Sequence, residues 1–275
     1  MGSFVTQIVM AKSTYISTNL TEDQISLLRN LDDKEILYFS LEDIETRMGK
    51  EVPSINEIVE NLHHKGLLDR IEKGIYTRPH FHDPYVLGSY ISRGGVLGYW
   101  SALHHHGLTE RFPNKVFLKT TLRKRSTAIF GTKIQYITVH PRKMLGMTWE
   151  GYGDKKYPLT DIEATLLDCF DQPRYAGDWP DLIRAFQRAV LDANKLIKYT
   201  SVYQNTAVIK RMGYLAEKSE RKELSSFISF AASQVRTKYS LFEPGGPDEG
   251  NFNNRWKLRM NISEEDILEI IQSPY

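Results

Sequence analysis

Between residues 22 and 78 the spacing of apolar positions changes repeatedly, and each change predicts an element. Ile25, Leu28 and Leu31 recur at helical spacing behind Thr21, a good N-cap residue, and predict a helix over 22–31. Ile36-Leu37-Tyr38-Phe39 is an apolar run too short for a helix and rich in strand formers. Ser40 and Asp43 have capping-box spacing and open a helix over 41–48, which Gly49-Lys50 breaks. Ser54 with Glu57 opens a third helix by the same chemistry. Its stripe of Ile55, Ile58, Val59 and Leu62 ends ahead of Gly66, placed as a left-handed residue past the helix end. The runs 67–72 and 75–78 flank Lys73-Gly74, a two-residue hairpin turn. These elements follow in the order of a winged helix-turn-helix, a fold that usually places its third helix in a DNA groove.

Beyond residue 80 the pattern turns mixed and then helical. His80-Phe81-His82-Asp83-Pro84 reads as a linker. A helix over 85–92 is interrupted by Arg93-Gly94-Gly95, and a second over 96–106 carries Leu97, Trp100, Leu103 and His104 and stops at Gly107. Strands are expected at 115–121, 127–130 and 133–140, the last two joined by a glycine-first turn at Gly131-Thr132. In the last strand Ile134, Tyr136, Thr138 and His140 alternate with Gln135, Ile137 and Val139, so both its faces are expected to be covered. From Asp161 the apolar spacing is helical. Ile162, Leu166, Leu167 and Phe170 mark one helix, and Leu182, Ile183, Phe186, Ala189 and Val190 a second. Helices over 202–215 and 224–235, a strand over 256–260 and a short helix from Ser263 complete the chain. The reading is an α/β (α+β), multi-domain protein. Residues 1–80 form a winged helix-turn-helix, 81–160 a mixed α/β middle domain, and 161–275 a mainly helical region.

Composition changes this picture in one respect. The net charge of +2 over 275 residues is unremarkable, but its distribution is not. Residues 1–80 hold 9 Lys+Arg against 13 Asp+Glu, residues 81–160 hold 12 against 4, and residues 161–275 hold 15 against 17. The predicted DNA-reading domain is acidic, and the cations concentrate in the next segment. Phosphate neutralisation supplies much of non-specific DNA affinity, so the middle segment is expected to share the DNA surface. One cysteine, Cys169, excludes an intrachain disulfide and fits a reducing cytoplasm. No apolar run is long enough to span a membrane. Met1-Gly2-Ser3-Phe4-Val5-Thr6 fits the loose myristoylation pattern, though a plain leader is the expected reading.

Candidate chemistry follows from the third helix. Its stripe leaves Ser54, Asn56, Asn61, His64 and Lys65 facing outward beside Glu57 and Glu60. Asn reads adenine edges, Ser and the helix N-terminus hold phosphate, and Lys65 pairs with the DNA backbone. Arg70, Lys73 and Arg78 are expected phosphate contacts from the wing, and Arg123-Lys124-Arg125, the densest cationic run, a flanking grip. His104-His105-His106 is not expected to hold a metal. Consecutive helical residues point about 100° apart and no HExxH or cysteine partner accompanies them, so His106 is expected to satisfy helix-terminal carbonyls, favoured as a cation. Asp161, Glu163 and Asp168 with Lys119 would suggest a metal-dependent nuclease, but two of the carboxylates project to different sides and are better read as first-turn acids. Cys169 is expected to be a buried thiol. No phosphate-loop or dinucleotide glycine pattern is present, and no cofactor or catalytic residue is expected.

The stretches Ser101-Ala102-Leu103-His104-His105-His106-Gly107-Leu108, 123–132, 158–168, Pro173-Arg174-Tyr175-Ala176-Gly177, Arg211-Met212-Gly213-Tyr214-Leu215 and Asn253-Asn254-Arg255-Trp256 together resemble the AbiEi family, antitoxins of abortive-infection toxin–antitoxin operons. The resemblance covers nearly the whole chain and rests on the shared order of these stretches. It implies a winged helix-turn-helix that represses its own operon by binding inverted repeats in the promoter as double-stranded DNA, monomeric in solution or dimeric on DNA. It also implies a C-terminal region that counteracts a nucleotidyltransferase-type toxin encoded next door, commonly without a stable complex. Relatives tend to carry arginines in the wing, whereas this one reads Asp69-Arg70-Ile71-Glu72-Lys73-Gly74. The alternatives are a winged helix that docks directly on a toxin protein, and a nuclease-like enzyme.

Overall fold

The computed structural model describes residues 19–48 and 52–273; the leader pattern at residues 1–6 and the helix break at Gly49-Lys50 lie outside the described residues. The protein is mixed α and β, with three sheets among the described residues, and its contacts divide it into two compact units, Met1–His82 and Asp83–Tyr275.

In the first unit, α1 (Glu22–Asp33) begins with a complete capping box. Gln24 N donates to Thr21 Oγ1 at 3.3 Å, and Thr21 N donates to Gln24 Oε1 at 3.2 Å. β1 (Tyr38–Ser40) leads into α2 (Leu41–Met48), where Ser40 and Asp43 make the same reciprocal exchange at 3.1 and 3.2 Å. α3 (Val52–His64) starts two residues ahead of the expected cap, so Ser54 lies within its first turn. Pro53 belongs there, because first-turn N–H groups have no helical partner. Gly66 at φ +71 ends the helix, its N–H bonding His63 O while Leu67 N–H bonds Leu62 O. That pair of bonds is a Schellman stop, and the left-handed residue it needs is the glycine. β2 (Asp69–Glu72) and β3 (Ile75–Thr77) form a hairpin with Gly74 at φ +78, and β1 joins the far side of β3, giving the order β1-β3-β2. Leu27, Leu31, Phe39, Ile44, Ile55, Val59, Leu62 and Tyr76 form this unit's core.

The second unit opens with α4 (Pro84–Ile91), β4 (Val96–Leu97) and α5 (Tyr99–His105). The helix expected over 96–106 is thus shorter, and its first two residues form a strand. Val96 and Leu97 pair with β5 (Val116–Thr120) on one side, Leu97 pairs with Leu159 on the other, and Tyr99 at φ +53 turns the chain into the helix. β6 (Thr127–Ile129), β7 (Thr132–Thr138), β8 (Met147–Glu150) and β9 (Tyr157–Thr160) complete a sheet ordered β6-β7-β5-β4-β9-β8. The β5–β7 and β4–β9 pairs are parallel and the other pairs antiparallel. The β6–β7 turn sits one residue earlier than expected. Phe130 at φ +46 and Gly131 at φ +84 are both left-handed and Ile129 pairs with Thr132, the geometry of a type I′ turn.

Helices α6 (Ile162–Asp171), α7 (Trp179–Arg188), α8 (Ala193–Tyr203), α9 (Thr206–Lys218) and α10 (Ser225–Ser233) follow. The helix expected over 202–215 is divided: Gln204 at φ +57 ends α8, and Asn205 caps α9. A small sheet of β10 (Ser240–Leu241), β11 (Asn251–Asn253) and β12 (Leu258–Met260), ordered β10-β12-β11, and α11 (Glu264–Gln272) close the unit. One hydrophobic cluster joins Tyr99, Leu103, Phe117 and Ile137 to Leu166, Phe170, Phe186, Leu215, Phe242 and Trp256. Residues 81–160 and 161–275, read as separate domains from the sequence, therefore share a core.

Candidate nucleic-acid interface

The buried stripe of α3 decides which side chains look outward. With Ile55, Val59 and Leu62 at 1% exposure or less, the opposite face presents Ser54, Asn56, Glu57 and His64 to solvent, and Asn61 is half-buried at its margin. Amides, hydroxyls and an imidazole on an exposed helix are the groups that exchange hydrogen bonds with base edges and phosphates.

The cations behave differently. Lys65 turns back on its own unit, donating to Asn19 O at 2.7 Å and Gln24 Oε1 at 2.8 Å, which ties the end of α3 to the cap of α1. Arg70 lies 3.3 Å from Glu60 Oε1, and the Tyr76 hydroxyl donates to the same oxygen at 2.6 Å. Burial, with Glu60 beside it, pushes the Tyr76 phenol up to about 12, so it remains a donor throughout the physiological range. Arg78 pairs with Asp32 at 2.7 Å. Lys73, at the hairpin turn, is exposed. Three of the four expected cations of this unit thus have internal carboxylate, amide or carbonyl partners, and the Glu60–Tyr76–Arg70 group has no counterpart in the sequence reading. The local pattern could have suggested only Arg70, since its partner is ten residues away.

In the second unit, Arg123 and Arg125 are exposed between β5 and β6, and Lys124 stands 5.7 Å over the Tyr136 ring. The consecutive histidines go three ways. His104 packs on Phe112, His105 lies 3.6 Å from Glu150, and His106 Nε2 donates to Thr160 O at 2.7 Å. The expected cationic His106 is corrected: burial holds its pKa below 6.5, against the opposing pull of the Thr160 bond. The unfolded chain therefore binds the His106 proton more readily than the folded one. Stability is expected to be held above pH 6.5 and to fall as acid takes the pH through the folded value. Denaturant midpoints between pH 7.5 and 5.5 test this, and His106→Gln should flatten the profile.

The acidic residues are separately employed. Asp161 caps α6 through Ala164 N at 2.9 Å and accepts from the Tyr199 hydroxyl. Glu163 accepts from Asp192 N at 2.8 Å, and Asp168 is paired with Lys119 at 2.5 Å, both buried. Burial pushes the Cys169 thiol up, and it lies at 0% exposure. No group of three His, Cys, Asp or Glu among the described residues is placed to hold a metal ion. No described helix is long and apolar enough to cross a membrane.

No protein-family model and no curated protein matches the chain. A crystal structure of the RV2827C protein from Mycobacterium tuberculosis is similar, with a TM-score of 0.60 over 88% of this chain and 92% of that one, at 18% identity. At that identity the likeness speaks for the fold alone.

Proposed function

We propose that the first unit is a winged helix-turn-helix whose α3 reads double-stranded DNA of the chain's own promoter, in a cytoplasmic, non-enzymatic repressor that doubles as the antitoxin of a toxin–antitoxin operon. The observation that carries the DNA reading is the division of α3, with an apolar stripe sealed in the core and Ser54, Asn56 and His64 exposed opposite it. The antitoxin part is supported by the resemblance to AbiEi proteins, and its functional partner is a nucleotidyltransferase-type toxin. Arg123, Lys124 and Arg125 supply flanking phosphate contacts in this reading, with Lys73 from the hairpin.

The test is a gel shift with the upstream DNA in about 100 mM salt. Promoter DNA is expected to bind more tightly than scrambled DNA, and Asn56→Ala to lose roughly 5- to 150-fold, the cost of one bidentate base contact. Because three of the four cations expected at this surface, Lys65, Arg70 and Arg78, have partners within the unit, the salt dependence should be shallow. Each neutralised phosphate contributes a slope of about −0.9, so a value between roughly −1 and −4 is expected. Equal affinity for scrambled DNA would end the repressor reading. Growth of cells expressing the neighbouring toxin, rescued by this chain, tests the antitoxin half.

The internal pairing of Lys65, Arg70 and Arg78 favours a second reading, a winged helix that docks on a protein. Co-purification with the toxin at fixed stoichiometry, without DNA affinity, would select it.

A further inference from the structure

A groove in the second unit lies between the start of α4, the end of α5, the loop from Phe112 to Lys115 and the β6–β7 turn. Three features distinguish it. Phe112 is 80% exposed, with its ring 4.6 Å from that of His104. His104 Nδ1 is buried and has no hydrogen-bond partner. Lys115 and Lys133 both line the groove, and neither has an ion-pair partner among the described residues.

The two lysines meet because β5 and β7 run parallel. Val116 is in register with Ile134, so Lys115 and Lys133 stand side by side one position earlier. Neighbouring like charges across a strand pair are unfavourable, and a bound anion relieves them. Elsewhere the cations of residues 81–160 are often answered: Arg111 by Asp178 and Asp181, Lys119 by Asp168, and Lys143 by Asp171. The groove lining contains no carboxylate. Lys115 Nζ lies 6.0 Å over the Phe117 ring, but neither lysine meets a carboxylate. An exposed flat ring in a groove with two such ammonium groups matches a nucleotide, whose base stacks while its phosphate takes the charge. A base within a duplex has no free face for this, so the strand must be unpaired.

We propose that this groove binds single-stranded nucleic acid, with Phe112 stacked on an unpaired base and Lys115 and Lys133 on its phosphates. The site is separate from α3 and stands without the repressor reading. An acidic peptide would satisfy the lysines but leave the ring unused.

Fluorescence anisotropy of the full chain with labelled ten-nucleotide oligo(U) and oligo(dT), at about 100 mM salt, decides the matter. Binding of either supports the groove, and the tighter of the two identifies the sugar it accepts. Phe112→Ala should weaken binding roughly 5- to 150-fold, as loss of one stacked base does, and Phe112→Trp should retain it. Lys115→Gln with Lys133→Gln should reduce the log–log salt slope by about 1.4, two single-strand phosphates. Promoter-duplex affinity should be the same in wild type and Phe112→Ala, so loss of one activity is distinguishable from loss of the other. Unchanged affinity in Phe112→Ala, or an oligo-glutamate competing as well as either oligonucleotide, would overturn the proposal.

Discussion

Lys119→Met is expected to destabilise the second unit by about 3–5 kcal/mol, the cost of leaving a buried carboxylate without its counter-ion. Lys119 is 1% exposed on β5, and Asp168, on α6, is fully buried with Oδ2 2.5 Å from the ammonium. Asp168 Oδ1 accepts from the Tyr203 hydroxyl at 2.9 Å, so both oxygens are engaged. Burial raises the Asp168 pKa against the pull of Lys119 and Tyr203, and removing the lysine takes away the larger of those two opposing influences. Asp168→Leu added to Lys119→Met should recover most of the loss, since replacing a whole buried pair by apolar groups of similar volume is often neutral or stabilising. Urea unfolding followed by tryptophan fluorescence measures both. A loss below about 1 kcal/mol in the single variant would show that water reaches the pair.

Gly213→Ala is the second large effect, and its sign is the informative part. Alanine in place of a helical glycine ordinarily gains about 1 kcal/mol. At Gly213 an added Cβ would run into the Trp256 ring, 2.5 Å from Cη2, and stand 2.9 Å from Ala231 Cβ. Trp256 is 1% exposed and its indole N–H donates to Glu217 at 2.7 Å, so the ring has nowhere to retreat. Overpacking of this kind costs about 1–3 kcal/mol, enough to reverse the propensity gain. Thermal unfolding should give a lower midpoint, and Trp256→Phe in the same chain should restore part of it. A raised midpoint in Gly213→Ala alone would mean that the α9–Trp256 contact yields.

Both contacts involve stretches by which the sequence resembles the AbiEi family. Gly213 and Trp256 belong to two of its stretches, and Asp168 to a third. All three residues are buried in the second unit.

What was legible in the sequence was local. The boxes at Thr21/Gln24 and Ser40/Asp43 and the stop at Gly66 are made by neighbours three to five residues apart, and short spacing carries that information. Thr21 alone marks its cap in the sequence, and Gln24 completes the box in the structure. Val96-Leu97 was not legible as a strand, because two apolar residues acquire that identity from partners at Leu118, Lys119 and Leu159. α8 escaped because its buried positions, Ala193, Leu196, Thr200 and Tyr203, include two polar types and make a faint stripe. In the candidate interface, the outward face of α3 is the complement of a readable stripe. The fate of its cations was not readable. Gln24, Glu60 and Asp32 capture Lys65, Arg70 and Arg78 across the fold, and spacing along the chain does not encode such captures.

Glu60 sits on α3, yet one of its oxygens holds Arg70 of β2 and Tyr76 of β3. The hairpin consequently cannot change its pitch without dragging the helix along. A unit clamped in this way meets whatever it touches with helix and hairpin at one fixed setting, and the adjustment falls to the other side.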